Sequence, residues 1–521
     1  MGRRVLRVMC FLLVALVFVY GPGEMVNAAS LTVNSLADES DGSCSDGDCS
    51  LRDALALANP NDTIHFSVTG TITLALGSFI IDKSLTINGP GSPSLAINGN
   101  SITRLFQVSS GIQATIAGID MTSGLADGGV EGDGGAIYNS GELSLTDCHL
   151  FSNHTSGNGG AIYNEGQLTV NGCNFTGNVA DNDGGGIYND FDGTASIANT
   201  HFFSNAAGND GGGVYNSATS LVTMADSTFV GNNAGNNGGG VYNSIGTTVT
   251  LTDNDFSTNL AGNNGGGIAN DGSMALIRCS LSSNYADNDG GGIANSNYLK
   301  LTRSILSWNG AGNSGGGLAN SGTTDMTGST FSDNSTDGDG GGIANNGVSL
   351  DMSTSTFTGN RAGGSGGGIA NIWSVLDVAD STFSGNSAVD GGGVYNTYDA
   401  TSTFTNTIVA DSSLGGNCSG AFVAGSTKNL DTDSTCSPGF TQVTSTQLAL
   451  GTLTGSPAYF PLNLGSAAID RGTNNGCHTI DQRGAPRPQD GDGDGTAICD
   501  VGSYEYWPAQ PKLYLPLITK H

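Results

Sequence analysis

Apolar and polar residues alternate along most of the chain in short runs that recur at a nearly constant interval. Segments such as Leu143–Leu145 and Leu168–Val170 carry an apolar residue at every second position. A period of two predicts β-strands, because successive side chains of a strand point to opposite faces. The sequence therefore predicts many short strands separated by turns.

A glycine-rich segment marks each repeat. It reads Gly-Gly-Ala-Ile-Tyr-Asn at residues 134–139, and eleven copies succeed one another in steps of 25 to 27 residues. Each copy holds one aliphatic marker residue, and the markers are Ile137, Ile162, Ile187, Val214, Val241, Ile268, Ile293, Leu318, Ile343, Ile369 and Val394. The repeats also carry an apolar residue three positions before an asparagine, as in Phe175 and Asn178.

A repeat of this length with three short strands cannot bury its apolar face alone, but stacked repeats bury a continuous core. The expected coil is strand, turn, strand, turn, strand and loop. In one coil Leu168 and Val170 point inward, and Phe175 resumes the inward role after a break in phase, which predicts a corner between them. The sequence thus predicts an all-β, right-handed parallel β-helix.

Two further columns of the repeat favour stacked coils. The asparagine two positions after each marker is expected to point inward, where amides on successive coils bond to one another and satisfy buried polar groups. The corner column is made mostly of residues that tolerate a left-handed backbone. It consists of Asp147, Gly172, Asn199, Asp226, Asp253, Arg278, Arg303 and Gly328.

The pairing of Gly-Gly-Ala-Ile with Phe-x-x-Asn resembles the repeats of polymorphic outer membrane proteins, which are β-helical surface passengers. Ahead of the repeats, Cys49–Leu55 resembles the segment that names the Cys-Ser-Leu-Arg-Glu-Ala domain of exported bacterial β-helix proteins, with Asp53 in place of Glu. Leu51, Leu55 and Ala58 fall on one helical face, which suits a short helical cap on the open end of the solenoid.

The region after the repeats resembles the choice-of-anchor Q domain. The resemblance is carried by Gly465–Gly472, Asp481–Gly484 and Cys499–Glu505. That family lies at the C-terminal end of bacterial surface proteins, so the resemblance implies a surface-associated module. After Glu505 the sequence shows neither a long apolar helix nor a Leu-Pro-x-Thr-Gly signal.

The start of the chain predicts export, because a basic beginning, an apolar run from Val8 to Tyr20 and small residues at Asn27–Ala29 form a signal-peptide pattern. The run is too short to span a bilayer, so no transmembrane segment is expected after cleavage. The expected location is extracellular or the cell surface. The predicted parts are a signal peptide (1–29), a cap (30–69), the β-helix (70–445, regular repeats 134–396), a C-terminal module (446–507) and a short apolar tail (508–521).

An exported protein can form disulfides. Local pairs are expected for Cys44 with Cys49, Cys418 with Cys436, and Cys477 with Cys499, and the last of these would tie the C-terminal module. Cys148 and Cys173 share one register on adjacent coils, which is compatible with a disulfide or, as serines fill the same column elsewhere, with small-residue packing.

The chain is strongly acidic, with 46 Asp and Glu against 16 Lys and Arg and a net charge of −30. Nucleic acid is excluded as an expected partner, because phosphate binding requires clustered basic residues. The acidity either serves to keep an exported protein soluble or serves to bind cations. No cofactor is expected, and calcium is the alternative. Asp490, Asp492 and Asp494 open like a calcium loop, although position twelve is Val501 where an EF-hand has Glu.

Two columns carry candidate chemistry. One corner of four successive coils carries two acids and two arginines, which form either a catalytic candidate or a ladder of surface charges. These residues are Asp226, Asp253, Arg278 and Arg303. The residue after each marker is expected to point outward and is tyrosine on five successive coils, before alanine takes over at Ala269. These tyrosines, a stacking platform for sugars or a stabilising aromatic ladder, are Tyr138, Tyr163, Tyr188, Tyr215 and Tyr242.

The predicted function is that of a secreted or cell-surface β-helical protein with a structural or adhesive role, for which glycan binding is the candidate activity. The alternative is a carbohydrate-active enzyme, a polysaccharide lyase or glycoside hydrolase, on the same scaffold. Catalytic β-helices carry long loops beside one strand face, whereas these repeats differ by at most two residues. The expected partners are extracellular polysaccharides or cell-envelope components.

Overall fold

A computed structural model describes residues 29–128, 132–422 and 425–508. The chain forms a parallel β-solenoid of about 14 turns, which confirms the predicted fold class. The predicted signal peptide and apolar tail lie outside the described residues, apart from Ala29 and Pro508. Among the residues that are described, no helix is both long and apolar enough to cross a bilayer.

Four parallel sheets run along the solenoid, and they are numbered here in the order in which one coil visits them. Sheet 1 holds the aliphatic markers in strands Phe79–Ile81, Phe106–Val108, Ile137–Asn139, Ile162–Asn164, Ile187–Asn189, Val214–Asn216, Val241–Asn243, Ile268–Asn270, Ile293–Asn295, Leu318–Asn320, Ile343–Asn345, Ile369–Asn371, Val394–Asn396 and Cys418–Gly420. Sheet 2 contains Ser30–Val33, Thr63–Phe66, Leu85–Asn88, Gln113–Ala117, Glu142–Thr146, Gln167–Asn171, Thr194–Ala198, Leu221–Ala225, Thr248–Thr252, Ser273–Ile277, Tyr298–Thr302, Thr323–Thr327, Ser349–Ser353, Val375–Ala379 and Thr401–Thr405.

Sheet 3 carries most of the buried phenylalanines. Its strands are Gly70–Thr73, Leu95–Asn98, Asp120–Thr122, His149–Phe151, Asn174–Thr176, His201–Phe203, Thr228–Val230, Asp255–Ser257, Ser280–Ser282, Ile305–Ser307, Thr330–Ser332, Thr356–Thr358, Thr382–Ser384, Ile408–Ala410, Asn429–Asp431 and Phe440–Gln442. Sheet 4 contains Leu125–Ala126, His154–Thr155, Val179–Ala180, Ala206–Ala207, Asn233–Ala234, Leu260–Ala261, Tyr285–Ala286, Gly310–Ala311, Ser335–Thr336 and Arg361–Ala362. One antiparallel pair, Thr454–Gly455 with Ala458–Tyr459, lies outside the solenoid.

The expectation of three strands per coil was wrong, because nine of the eleven regular coils have a fourth strand, in sheet 4. Its two residues pair in parallel with those of the next coil, as Val179 does with Ala206. In each of these strands the second residue is buried and the first is partly or fully exposed, so the sequence displays only a single alternation. A run of two residues is too short to be recognised from periodicity.

Identical positions of successive coils lie directly above one another. Ile162 pairs with Ile187 in sheet 1, and Phe202 pairs with Phe229 in sheet 3. The rings of Phe202 and Phe229 have centroids 4.6 Å apart and planes within 3° of parallel. The apolar core is therefore a set of continuous columns, as the repeat predicts.

Two asparagine ladders run through the interior. In sheet 1, Nδ2 of Asn139 donates to Oδ1 of Asn164 at 2.6 Å, which confirms the predicted ladder. A second ladder, which was not predicted, follows sheet 3. There Oδ1 of Asn232 accepts both the main-chain N–H and Nδ2 of Asn205 at 3.0 Å, while Asn232 donates to Oδ1 of Asn259 at 2.9 Å. These side chains are fully buried, so the bonds satisfy polar groups that would be costly to bury alone.

The corners between sheets 2 and 3 have the predicted left-handed backbone. Asp226 has φ 51° and Arg278 has φ 55°, and all members of the predicted corner column have positive φ. In the glycine-rich segment just before the marker Val214, Gly211 has φ +69°. A Cβ on the next residue, Gly212, would lie 2.4 Å from the carbonyl oxygen of Gly239. Glycine is therefore required there by both backbone conformation and close approach of the coils.

A helix forms at each end of the solenoid. The first, α1 (Leu51–Leu57), begins at Ser50, whose Oγ accepts a bond from the N–H of Asp53, and it buries Leu51 and Leu55. The second, α2 (Ser445–Leu448), leads into the C-terminal module. The module packs on sheet 3, where Gln482 bonds to Thr330 and Thr356.

The described cysteines divide into bonded and free groups. Disulfides join Cys44 to Cys49, Cys418 to Cys436, and Cys477 to Cys499, and the last two tie the C-terminal region. Cys148, Cys173 and Cys279 are free and buried in the core. Burial raises the pKa of Cys279 to about 11, so this thiol stays protonated and packs as a small apolar group.

The sheet 3 ladder generates a stability prediction. Replacing Asn232 with Ala leaves the N–H and Nδ2 of Asn205 and the carbonyl of Phe202 without their partner. Since each unsatisfied buried group costs about 1–3 kcal/mol, we expect a loss of about 2–4 kcal/mol in the free energy of unfolding. Urea unfolding of the variant measures it.

The matched control is Asn236→Ala, since Asn236 is exposed on the same coil. We expect the control to stay within about 0.5 kcal/mol of the parent. Equal urea midpoints for the two variants would show that the ladder does not stabilise the stack.

Candidate functional site

The five tyrosines that directly follow the aliphatic markers form one continuous stack on the outer face of sheet 1. Ring centroids of neighbours are 4.8–5.2 Å apart, and their planes are within 18° of parallel. Each inner ring therefore has both faces covered by its neighbours. The stack presents ring edges, not a row of open faces, to solvent.

Carboxylates hold the stack from the side. The hydroxyl of Tyr138 donates to Glu165 at 2.6 Å, and that of Tyr242 donates to Asp271 at 2.5 Å. Burial, reinforced by neighbouring carboxylates, raises the pKa of these tyrosines, and that of Tyr188 rises to about 12. They stay protonated at neutral pH, and the hydroxyls of Tyr138 and Tyr242 act as hydrogen-bond donors.

The two ends of the stack differ. At one end the guanidinium of Arg104 lies over Tyr138, 5.1 Å from the ring centroid. At the other end the next coil has Ala269 paired with Tyr242, so no aromatic ring of a described residue covers the far side of Tyr242. The open end of the stack is thus the face of Tyr242 that points along the solenoid axis.

A trough begins at that face. Its floor is the alanine column Ala269, Ala294, Ala319 and Ala344, which continues the tyrosine column on the next four coils. The cavity has a volume of about 260 Å³. Four coil steps correspond to a length of about 19 Å, at about 4.8 Å per strand.

Polar side chains line both sides of the trough. One wall includes Asn264, Asp289 and Ser314, and the other includes Asp271 and Ser296. Nδ2 of Asn313 donates to Oδ1 of Asp289 at 2.8 Å, which holds that carboxylate at the rim. No lysine or arginine is among the described residues that line the trough, so its oxygens and amides suit a neutral, hydroxyl-rich ligand.

The replacement of tyrosine by alanine is visible in the sequence, but its consequence is not. Periodicity identifies the outward column and places its tyrosines together, as the structure does. Whether the rings stand apart or stack face to face depends on the axial spacing and side-chain rotamers. An alanine in an outward column gives no functional signal in the sequence. Its role becomes visible only when the structure shows that the tyrosine stack ends next to it.

The corner residues considered for catalysis occupy one edge of the solenoid. Arg278 and Asp253 form an exposed bidentate ion pair, which holds the pKa of Asp253 below its usual range. Arg303 instead donates to the carbonyl of Arg483 in the C-terminal module at 3.3 Å. The two arginines thus have different partners, and a catalytic role for Asp226 and its neighbours stays a prediction.

The calcium candidates are only partly brought together. Asp490 and Asp492 lie with Asp470 in a cluster whose carboxylate oxygens are within 4.8 Å of one another, whereas Asp494 is outside this cluster. Asp470 comes from a segment about twenty residues upstream, so loop spacing gave no signal for it. Burial raises the pKa of Asp470, and its Oδ1 has no hydrogen-bond partner among the described residues. These three carboxylates could hold Ca²⁺.

The comparison with protein families finds the repeat. The model of the Chlamydia polymorphic membrane protein repeat matches residues 147–165, 172–190 and 380–397. In each of three coils, the matched segment runs from the corner between sheets 2 and 3 to the sheet 1 strand that contains the aliphatic marker. The chain therefore contains polymorphic membrane protein repeats on a parallel β-helix. No curated protein sequence matches the chain.

Among solved structures, pectate lyase Pel9A is similar at 14% identity, over 92% of this chain and 96% of that chain, with a TM-score of 0.27. A mannuronic acid specific polysaccharide family 6 lyase from human gut microbiota is similar at 11% identity, over 80% of this chain and 91% of that chain, with a TM-score of 0.35. At these TM-scores neither likeness carries an argument about activity. The fold assignment rests on the strand register itself.

The carboxylate cluster generates a binding prediction. We expect Ca²⁺ to bind weakly to the full protein at Asp470, Asp490 and Asp492, because three converging carboxylates supply hard oxygen ligands. Calorimetric titration with CaCl₂ measures it. Asp490→Asn is expected to weaken binding by about tenfold, corresponding to ~1.4 kcal/mol.

Asp494→Asn serves as the control, since it removes one charge from the same loop but lies outside the cluster. It is expected to leave the affinity unchanged. An equal loss in both variants would reduce the effect to the general acidity of the loop.

Proposed function

We propose that the protein is a secreted or cell-surface binding protein and that the alanine trough holds a segment of a neutral polysaccharide. The observation that carries the proposal is the uncovered face of Tyr242 at the end of the trough. The C–H face of a pyranose ring stacks on an aromatic face, and its hydroxyls bond to carboxylate, amide and hydroxyl groups at the sides.

The geometry of the trough favours an extended polysaccharide chain as the ligand and disfavours a compact one. Its floor has the period of the coils, so the same pair of polar walls recurs at about 4.8 Å intervals. Small alanine side chains leave room for a ligand that runs along the axis. The walls combine donors such as Asn264 with acceptors such as Asp271 and Asp289, which matches the dual character of sugar hydroxyls.

A surface location supports the same role. The matched repeats carry the name of a membrane protein family, and the acidic, disulfide-bonded chain is compatible with an oxidising exterior. The rigid stack of coils keeps the trough preformed, so binding requires little ordering of the protein. The role proposed is attachment to, or organisation of, extracellular polysaccharide.

The trough generates a binding prediction. In a screen of neutral polysaccharides followed by calorimetry, we expect Tyr242→Ala to weaken binding about tenfold, ~1.4 kcal/mol, through loss of the stacking face. Ala294→Tyr is expected to abolish binding, because a ring at that position fills the trough. The same column accepts tyrosine on six other coils, including that of Tyr395, so this variant is expected to retain the fold.

Tyr188→Ala separates the trough from the tyrosine stack. Both faces of Tyr188 are covered by Tyr163 and Tyr215, so its loss is expected to leave binding unchanged. Loss of binding in this variant, with Tyr242→Ala unaffected, would contradict the trough. Release of new reducing ends or unsaturated products would overturn the binding role in favour of catalysis.

A further inference from the structure

A tryptophan interrupts a corner column that otherwise contains turn residues. The corners between sheets 3 and 4 all have positive φ, and the column reads Ser152, Gly177, Ser204, Gly231, Thr258, Ser283, Trp308, Asp333, Gly359 and Gly385. Trp308 has φ 58°, and 66% of its surface is exposed. A bulky residue is disfavoured in the left-handed region, and its apolar ring gains nothing from the turn. Turn chemistry therefore does not account for it.

A second exposed aromatic ring lies beside it on sheet 4. Tyr285 is 44% exposed, and the next residue in its column is Gly310. A Cβ on Gly310 would lie 3.1 Å from Cδ2 of Tyr285, so the ring leans across the glycine backbone. Glycine makes room for the ring to lie along the sheet instead of standing away from it.

The two rings border one cavity with a basic residue on its rim. The cavity has a volume of about 640 Å³ and is lined by Trp308, Tyr285, Gly310, Ser335, Asp337 and Arg361. Arg361 is exposed, and within the described part of the chain it forms no ion pair with a carboxylate. Asp337 on the same rim supplies an acceptor for hydroxyl groups.

We propose that Trp308, Tyr285 and Arg361 form a second glycan site that binds an anionic sugar residue, carrying a carboxylate or a sulfate. The aromatic rings hold the apolar face of the sugar, and the guanidinium forms charge-assisted bonds with the anionic group. This site lies on sheet 4, whereas the trough lies on sheet 1. The inference rests on the proposed glycan-binding function but uses a separate face and a different ligand charge.

The test is titration of the full-length protein with short oligogalacturonate, its carboxyl-reduced neutral counterpart, and a sulfated galactan oligomer of equal length. Tryptophan fluorescence and calorimetry report binding. The parent is expected to prefer at least one anionic oligomer over the neutral one by tenfold or more. Which anionic oligomer binds identifies the carboxylate or the sulfate as the recognised group.

Two variants assign the site. Trp308→Gly is expected to abolish binding of the anionic oligomer without loss of thermal stability, because glycine relieves the left-handed backbone and already occupies this corner on other coils. Arg361→Gln is expected to remove the preference for the anionic oligomer while leaving residual affinity equal to that for the neutral one.

Trp373→Gly is the matched control, because Trp373 is 74% exposed and has φ 54° at a different corner. It is expected to bind like the parent. The proposal is overturned if the parent shows no anionic preference, if Trp308→Gly binds normally, or if both tryptophan variants lose binding alike. Tyr242→Ala is expected to bind the anionic oligomer normally, so failure of the trough and failure of this site are distinguishable.

Discussion

The in-register stacking of asparagine amides is the constraint on which the rest of the solenoid depends. Each buried Asn232-type amide contacts the coil before it and the coil after it, and it also binds a main-chain carbonyl. Such bonds form only when equivalent positions superimpose. A slip of one residue would turn the apolar columns outward and leave the amides unpaired. The ladders therefore fix the register, and the flat stacks of phenylalanine and tyrosine follow from it.

The same constraint explains where the coils vary in length. The two extra residues of the longer coils lie in the turn between sheets 1 and 2, where four residues separate Asn189 from Thr194, and two separate Asn164 from Gln167. That turn follows the sheet 1 ladder and lies at the surface, so a longer loop disturbs no buried bond. Elsewhere the loops stay nearly constant. The interior of each coil has the same geometry, and only the surface turns vary in length. The result is a regular rod with few places where a deep cleft could form.

Periodicity predicts the features that recur in every coil. It does not predict the contacts that form where one coil departs from the pattern. The aliphatic markers, the inward asparagines and the left-handed corner at Asp226 follow from spacing and residue type, because each is dictated locally. The two-residue strand at Val179–Ala180 is too short to show alternation. The open face of Tyr242 and the approach of Asp470 to Asp490 depend on contacts between coils or distant segments. Spacing along one chain carries no information about those contacts.

The proposed binding sites arise where a column departs from its own pattern, and electrostatics explains how two such departures can differ in ligand. With a net charge of −30, the protein repels a polyanion at long range. Exposed charges are largely screened beyond about 8 Å at physiological ionic strength, so only the groups at the site itself decide the sign of a bound residue. The trough has carboxylates and no described basic lining residue, which disfavours an anion. Arg361 supplies one unpaired positive charge beside two exposed rings, and a short anionic oligomer meets it inside the screening length. A single residue can therefore reverse the charge preference of one face while the rod as a whole stays acidic.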